Sequence, residues 1–263
     1  MMSPLRSSLV LVGLATGCAM GGHDSSTSHD LTGLSYVAQG DSYASGTGTR
    51  EYYDAGCQRS NHAYAKQLAE QEGMLLSHVA CSGARIPDVR ANQLGALSDS
   101  TALVTISIGG NDAGFANVIT QCAKPWPWTC TGDINNARSF ITNTLPGQLD
   151  SLYTEIETRA PNAQVIVVGY PRLFNGQQCN LFARISATEQ RDLNSVADLL
   201  ASKISGVAAA HGFDFIDTRQ AFDSHRICDS VEWLNGLSNP IGESYHPNQL
   251  GHDAFTNLIS ARL

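Results

Sequence analysis

The sequence predicts an α/β/α sandwich, a parallel sheet between two helix layers, and three observations lead to that expectation. Short β-branched apolar runs, residues 102–108 (ALVTISI) and 164–169 (QVIVVG), read as strands buried on both faces. Longer stretches with apolar residues at helical spacing, residues 143–159 and 188–210, alternate with them. Glycine-rich turns follow the strand-like runs directly, as at Gly109-Gly110. A strand–helix–strand alternation returns the chain to a parallel neighbour, so helices must cover the sheet.

In chain order, residues 1–32 read as an export signal followed by a flexible leader. Arg6 provides a positive charge, residues 9–15 an apolar run too short to span a bilayer, and Ala15, Thr16, Gly17 and Ala19 a stretch of small residues. Cys18 resembles, imperfectly, the acylated cysteine of a bacterial lipoprotein, because the usual Leu stands at 14 and not 15. It is either a lipid attachment point or part of a discarded peptide. Residues 21–32 are rich in Gly, Ser, Thr, His and Asp, the composition of a linker. Residues 33–263 then form one domain. Tyr36-Val37-Ala38 is a short strand ending in Gly40-Asp41-Ser42. Residues 61–72 follow as a helix and 75–80 as a strand. After the run at 102–108 comes the helix 143–159, which Pro161 ends. The run at 164–169 precedes the helix 188–210. Residues 213–216 make a last strand and 247–263 a closing helix.

Composition excludes several function classes. The chain has 263 residues, 42% of them apolar and 15% charged, and the presumed leader accounts for 32, which leaves enough for one α/β core. A formal net charge of −8 and the lack of any Lys/Arg run argue against a nucleic-acid partner. No CxxC pair or HExxH helix is present, and Gly46-Thr47-Gly48-Thr49 lacks the lysine of a phosphate loop, so no metal or cofactor is implied. Of the seven cysteines, six remain beyond Cys18, an even set that behind an export signal implies disulfides. Six cysteines allow fifteen pairings. Sequential pairing, Cys57–Cys81, Cys122–Cys130 and Cys179–Cys228, is the expected one because it closes local loops. The Cys122–Cys130 segment (CAKPWPWTC) is either a stapled surface loop or an apolar rim facing substrate.

Four clusters carry candidate chemistry. Gly40-Asp41-Ser42-Tyr43, Cys81-Ser82-Gly83-Ala84 and Gly109-Gly110-Asn111-Asp112 each follow an expected strand, and Ser244-Tyr245-His246-Pro247-Asn248 opens the last helix. In open parallel sheets the functional edge lies beyond the carboxyl ends of the strands. A hydroxyl, backbone N–H groups, an amide and an imidazole can therefore converge there, which is the set acyl transfer requires. His23, His29, His62, His78, His211, His225 and His252 have no ligand-like spacing.

Taken together and in order, these blocks resemble the SGNH, or GDSL-type, hydrolase family over residues 34–263, and most of all its secreted actinobacterial esterases, lipases and phospholipases with three disulfides. The resemblance implies a flavodoxin-like sandwich and hydrolysis of a carboxylic, acyl or lipid ester. It implies Ser42 as nucleophile and His246 as general base. The Ser42 and Gly83 N–H groups and the Asn111 amide would form the oxyanion hole. Asp41 would hold the nucleophile turn. One position departs from the pattern: Glu243 stands three residues before His246, where the family usually has Asp. In part of the actinobacterial branch a backbone carbonyl two residues before the histidine replaces the acid, and here that carbonyl belongs to Ser244. The expected substrate partner is an ester, with a lipid ester among the candidates, met by a monomer. The same site in a polar cleft would suit a polysaccharide O-deacetylase. A catalytically inactive cell-surface binding protein would have lost one of the four blocks, and none is lost.

Overall fold

Five short apolar stretches become the strands of one sheet: β1 (Ser35–Gly40), β2 (Leu75–His78), β3 (Thr101–Ser107), β4 (Gln164–Val168) and β5 (Asp214–Ile216). The structure, a computed structural model, describes residues 30–124, 127–180 and 185–263; the segment expected to be an export signal, with Arg6 and Cys18, lies outside the described residues. Every strand pair is parallel and the order is β2-β1-β3-β4-β5. Tyr36, Val37 and Ala38 of β1, Val104 and Ile106 of β3 and Ile166 of β4 are fully buried, which is why these strands read as unbroken apolar runs.

The helices are α1 (Ser42–Ser45), α2 (Tyr64–Glu72), α3 (Ile86–Asn92), α4 (Phe115–Cys122), α5 (Thr131–Asn143), α6 (Leu145–Arg159), α7 (Ala187–Ala210) and α8 (Gln249–Ser260). The chain steps outward from β1 to β2, then crosses back over β1 to β3 and continues to β4 and β5. With right-handed crossovers, α2 lies on one face and α3, α6 and α7 on the other. Packing agrees, because α8 rests on α2 while α5, α6 and α7 pack together. The result is the three-layer sandwich. Its topological switch point lies between β1 and β3, whose outgoing chains leave in opposite directions, and a crevice opens there.

Several elements differ from the sequence expectation, each for a local reason. The helix expected from residue 61 begins at Tyr64, because Ser60 first makes a turn that accepts the Ala63 N–H at 3.2 Å. The helix expected from residue 143 begins at Leu145, because Asn143 ends α5. No expectation covered α3, α4 or α5. In α5 only Ile134, Ala137 and Ile141 are buried, so a single narrow apolar stripe is diluted among polar residues. Disulfides join Cys57 to Cys81, Cys122 to Cys130 and Cys179 to Cys228. The second of these ties the end of α4 to the start of α5.

Gly40 ends β1 at φ +120°, and a Cβ there would lie 2.1 Å from the Ser107 carbonyl oxygen of β3. Gly40→Ala should therefore cost about 2 kcal/mol or more of stability, from backbone strain and overpacking together. A urea midpoint equal to that of the wild type would contradict this close approach of β1 and β3.

Candidate active site

The turn that carries Ser42 is built by what caps it. Asp41 ends the extended chain and caps α1, accepting the Tyr43 N–H at 3.0 Å, so Ser42 is the first residue of a one-turn helix. Gly46 closes that turn at φ +103°, a conformation that favours glycine. Two side chains distant in sequence hold the turn in place. The Gln93 amide accepts the Gly40 N–H at 2.7 Å and donates to the Gly40 carbonyl at 2.9 Å. The Tyr170 hydroxyl donates to the other Asp41 oxygen at 2.5 Å and accepts the Gly110 N–H at 3.2 Å. Burial pushes the Asp41 carboxyl up to about 7, against the pull of these two donors. Its two oxygens are engaged by Tyr43 and Tyr170, so it acts as a brace for the turn.

The imidazole arrives from the other end of the chain. Tyr245 takes a left-handed backbone, φ +64°, and turns the chain between Ser244 and His246. The Tyr43 hydroxyl donates to the Tyr245 carbonyl at 2.8 Å and so ties this loop to α1. His246 Nδ1 is 2.9 Å from the Ser244 carbonyl oxygen, and Nε2 is 2.9 Å from Ser42 Oγ. A carbonyl only accepts, so Nδ1 must carry the ring proton. Nε2 is then bare and accepts from the Ser42 hydroxyl. Burial lowers the His246 pKa to about 4, and the Ser244 carbonyl opposes that shift. Glu243 is buried, but its carboxylate accepts the Tyr52 hydroxyl at 2.6 Å and lies 3.6 Å from Arg50. Of the two groups weighed from the sequence, the Ser244 carbonyl is the one in contact with the ring.

The expected oxyanion donors are placed unequally. The N–H of Ser42 and that of Gly83 meet no acceptor among the described residues. Asn111 spends one amide proton on the Ala84 carbonyl at 3.1 Å, which leaves the second free. Asn111 lines the same cavity as Ser42 and His246, whereas Gly83 lines a separate recess with Ser82 and Ala84. The bond from Asn111 to Ala84 connects the two. Asp112 accepts the Ile86 N–H through both oxygens, at 3.1 and 3.2 Å, and caps α3.

The cavity that holds Ser42 and His246 is about 450 Å³. Phe115 and Ile119 of α4, Leu200 of α7, and Leu237 and Ile241 of the loop before His246 make most of its wall apolar. Trp128, in the stapled loop beyond α4, is 66% exposed, while Pro125 and Trp126 lie outside the described residues. Sequence reasoning missed Gln93 and Tyr170, and the role of Tyr43. Tyr170 stands one residue beyond the apolar run that ends at Gly169, so the carboxyl-end rule for parallel strands was an available signal. Gln93 and Tyr43 gave none, since their roles exist only once the chain has folded.

Comparison with known proteins points the same way. The model of the GDSL-like Lipase/Acylhydrolase family matches residues 38–254. The chain is 41% identical over 251 residues to Lipase 1 of Streptomyces coelicolor, an alignment that covers 93% of this chain and 91% of that one. The crystal structure of an extracellular lipase from Streptomyces rimosus superposes with a TM-score of 0.83 at 39% identity, covering 88% of this chain and all of the other. That of phospholipase A1 from Streptomyces albidoflavus NA297 also gives 0.83, at 38% identity and the same coverage.

The buried, neutral imidazole has a consequence for pH dependence. A base works unprotonated, and its lowered pKa keeps it so in mild acid. The acid limb of kcat/KM on a soluble ester should have a midpoint closer to 4 than to 6.5. A midpoint at or above 6.5 would mean that the ring is solvated or faces a carboxylate.

Proposed function

The chain belongs to the GDSL-like lipase/acylhydrolase family and is a carboxylic ester hydrolase, and we propose that it cleaves acyl or lipid esters outside the cell through an acyl-enzyme on Ser42. The observation that carries this reading is the 2.9 Å contact between Ser42 Oγ and a bare His246 Nε2, with the opposite ring nitrogen fixed on the Ser244 carbonyl. As Ser42 Oγ attacks the ester carbonyl carbon, its proton passes to Nε2. The carbonyl oxygen becomes an oxyanion, met by the Ser42 N–H, the Gly83 N–H and the free Asn111 proton. Collapse breaks the bond to the leaving oxygen, which takes the proton from Nε2 and departs as the alcohol. Water then repeats the cycle on the acyl-enzyme, giving up a proton to Nε2 and releasing the acid and a restored Ser42. A neutral carbonyl behind the imidazole stabilises the transient imidazolium less than a carboxylate would, but it fixes the tautomer equally well.

The apolar cavity supports an acyl chain over an acetylated glycan as the bound group, since a hydroxyl-rich sugar would lose its water contacts against Phe115, Ile119 and Leu200. The lipase and phospholipase relatives support the same substrate class. Export of the chain through its first 32 residues is supported by three disulfides, which persist in oxidising compartments, and by the extracellular relative from Streptomyces rimosus.

A fluorophosphonate probe should label the wild type at Ser42, and the labelling should disappear in Ser42→Ala and fall steeply in His246→Ala. Mass-spectrometric location of the label on another residue would refute the assignment. Asn111→Ala should lower kcat about 10²- to 10³-fold with a nearly unchanged KM for a p-nitrophenyl ester, because the amide acts on charge that develops only in the transition state. An unchanged kcat would remove Asn111 from the oxyanion hole.

A further inference from the structure

Glu243 is 1% exposed and next in sequence to the carbonyl that orients the imidazole, and among the described residues its carboxylate makes no hydrogen bond to the ring. Burying a carboxylate is costly unless something pairs with it, so its partners indicate what it holds. Oε1 accepts the Tyr52 hydroxyl at 2.6 Å. Oε2 has Arg50 at 3.6 Å and no hydrogen-bond donor among the described residues. Tyr52 and Arg50 belong to the segment just downstream of α1. The Tyr52 hydroxyl in turn accepts the Gly48 N–H at 3.1 Å, and the Gly48 carbonyl accepts the Asn235 amide at 2.8 Å. The Asn235 backbone closes the circuit: its N–H donates to the His246 carbonyl at 2.8 Å and its carbonyl accepts the Tyr245 N–H at 2.9 Å.

From this circuit we infer that Glu243 is a positioning residue, a buried clamp that locks the His246 loop to the segment following the nucleophile and so aims the Ser244 carbonyl at Nδ1. The inference rests on the reading of Ser42 and His246 as nucleophile and base. Beside the Gly48–Asn235 and Tyr43–Tyr245 bonds, this carboxylate is the link that reaches the residue next to Ser244; without it that part of the loop can shift, and an imidazole that drifts by a fraction of an ångström no longer meets the hydroxyl in line. Arg50 holds a left-handed backbone, φ +68°, within the same clamp, a conformation that persists only where surrounding contacts over-determine it. Clamping and charge stabilisation make different demands on Glu243. The clamp needs an acceptor for Tyr52, which an amide oxygen also supplies. A triad acid needs the negative charge on the ring.

The test measures kcat per active site titrated with the fluorophosphonate, together with KM, the acid limb of kcat/KM and Tm, for Glu243→Gln, Glu243→Ala and Tyr52→Phe. Glu243→Gln should keep kcat within about threefold, with the acid limb unmoved, whereas loss of a triad acid typically costs about 10⁴-fold. Glu243→Ala and Tyr52→Phe should each lower kcat per titrated site by about 10- to 100-fold with KM within about twofold, the scale of a misplaced catalytic group. A drop of 10³-fold or more in Glu243→Gln, or an acid limb displaced by that change, would make Glu243 the triad acid and overturn the clamp. A wild-type kcat per titrated site in Tyr52→Phe, whatever happens to Tm, would leave Glu243 with a structural role alone and also overturn it. If Glu243→Ala does not fold, Tyr52→Phe decides. Failure of the underlying reading is separately visible, because the wild type itself would then escape labelling at Ser42.

Discussion

A neutral imidazole carries one proton, and the working of this site depends on where that proton sits. The Ser244 carbonyl draws it to Nδ1, which leaves Nε2 to accept from Ser42 across 204 positions of sequence. A backbone carbonyl makes this choice without adding a charge to the site. Burial can then keep the ring neutral, and its pKa falls with no carboxylate to restore it. The rest of the site serves this geometry: the sheet brings the Ser42 turn to its edge, and the loop at 235–246 brings the carbonyl and the ring as one unit.

Parallel sheets supply the edge but not the precision. β1 and β3 end side by side, and Gly40 permits an approach to Ser107 that no side chain would allow. Beyond that edge, Gln93, Tyr43 and Tyr170 replace missing strand partners with side-chain hydrogen bonds. Gln93 satisfies both polar groups of Gly40, and Tyr170 links Asp41, before the nucleophile, to Gly110, before Asn111. Each is buried or nearly so, and a half-satisfied polar group there would cost more than the bond itself returns. Tyr170 thereby holds the first and third sequence blocks at a fixed separation while belonging to neither, and Tyr43, inside the first, ties on the fourth.

The substrate side follows a different rule. The cavity wall comes from α4, α7 and the loop before His246, with polar atoms concentrated near Ser42, His246 and Asn111. The acyl chain proposed as substrate would gain by leaving water along that wall. The Cys122–Cys130 bridge sits directly behind α4, so the stapled loop and the cavity wall share one support.

Legibility followed physical range. The apolar runs of β3 and β4 were readable because a strand buried on both faces has no freedom to be polar. The periodic α7 was readable because its apolar stripe is a local fact. Ser42 and His246 were readable because turns and helix starts at strand ends carry short local signatures. What the sequence determined by itself was therefore the α/β class, the hydrolase family and the two side chains proposed to react. The tertiary structure alone decided that Nδ1 faces Ser244 and that Glu243 faces Tyr52 and Arg50. It alone recruited Gln93 and Tyr170 from 53 and 129 residues away. The reason is directional. A hydrogen bond is settled by angles and tenths of an ångström between atoms that sequence spacing does not relate, and those are fixed only when distant segments are packed against one another.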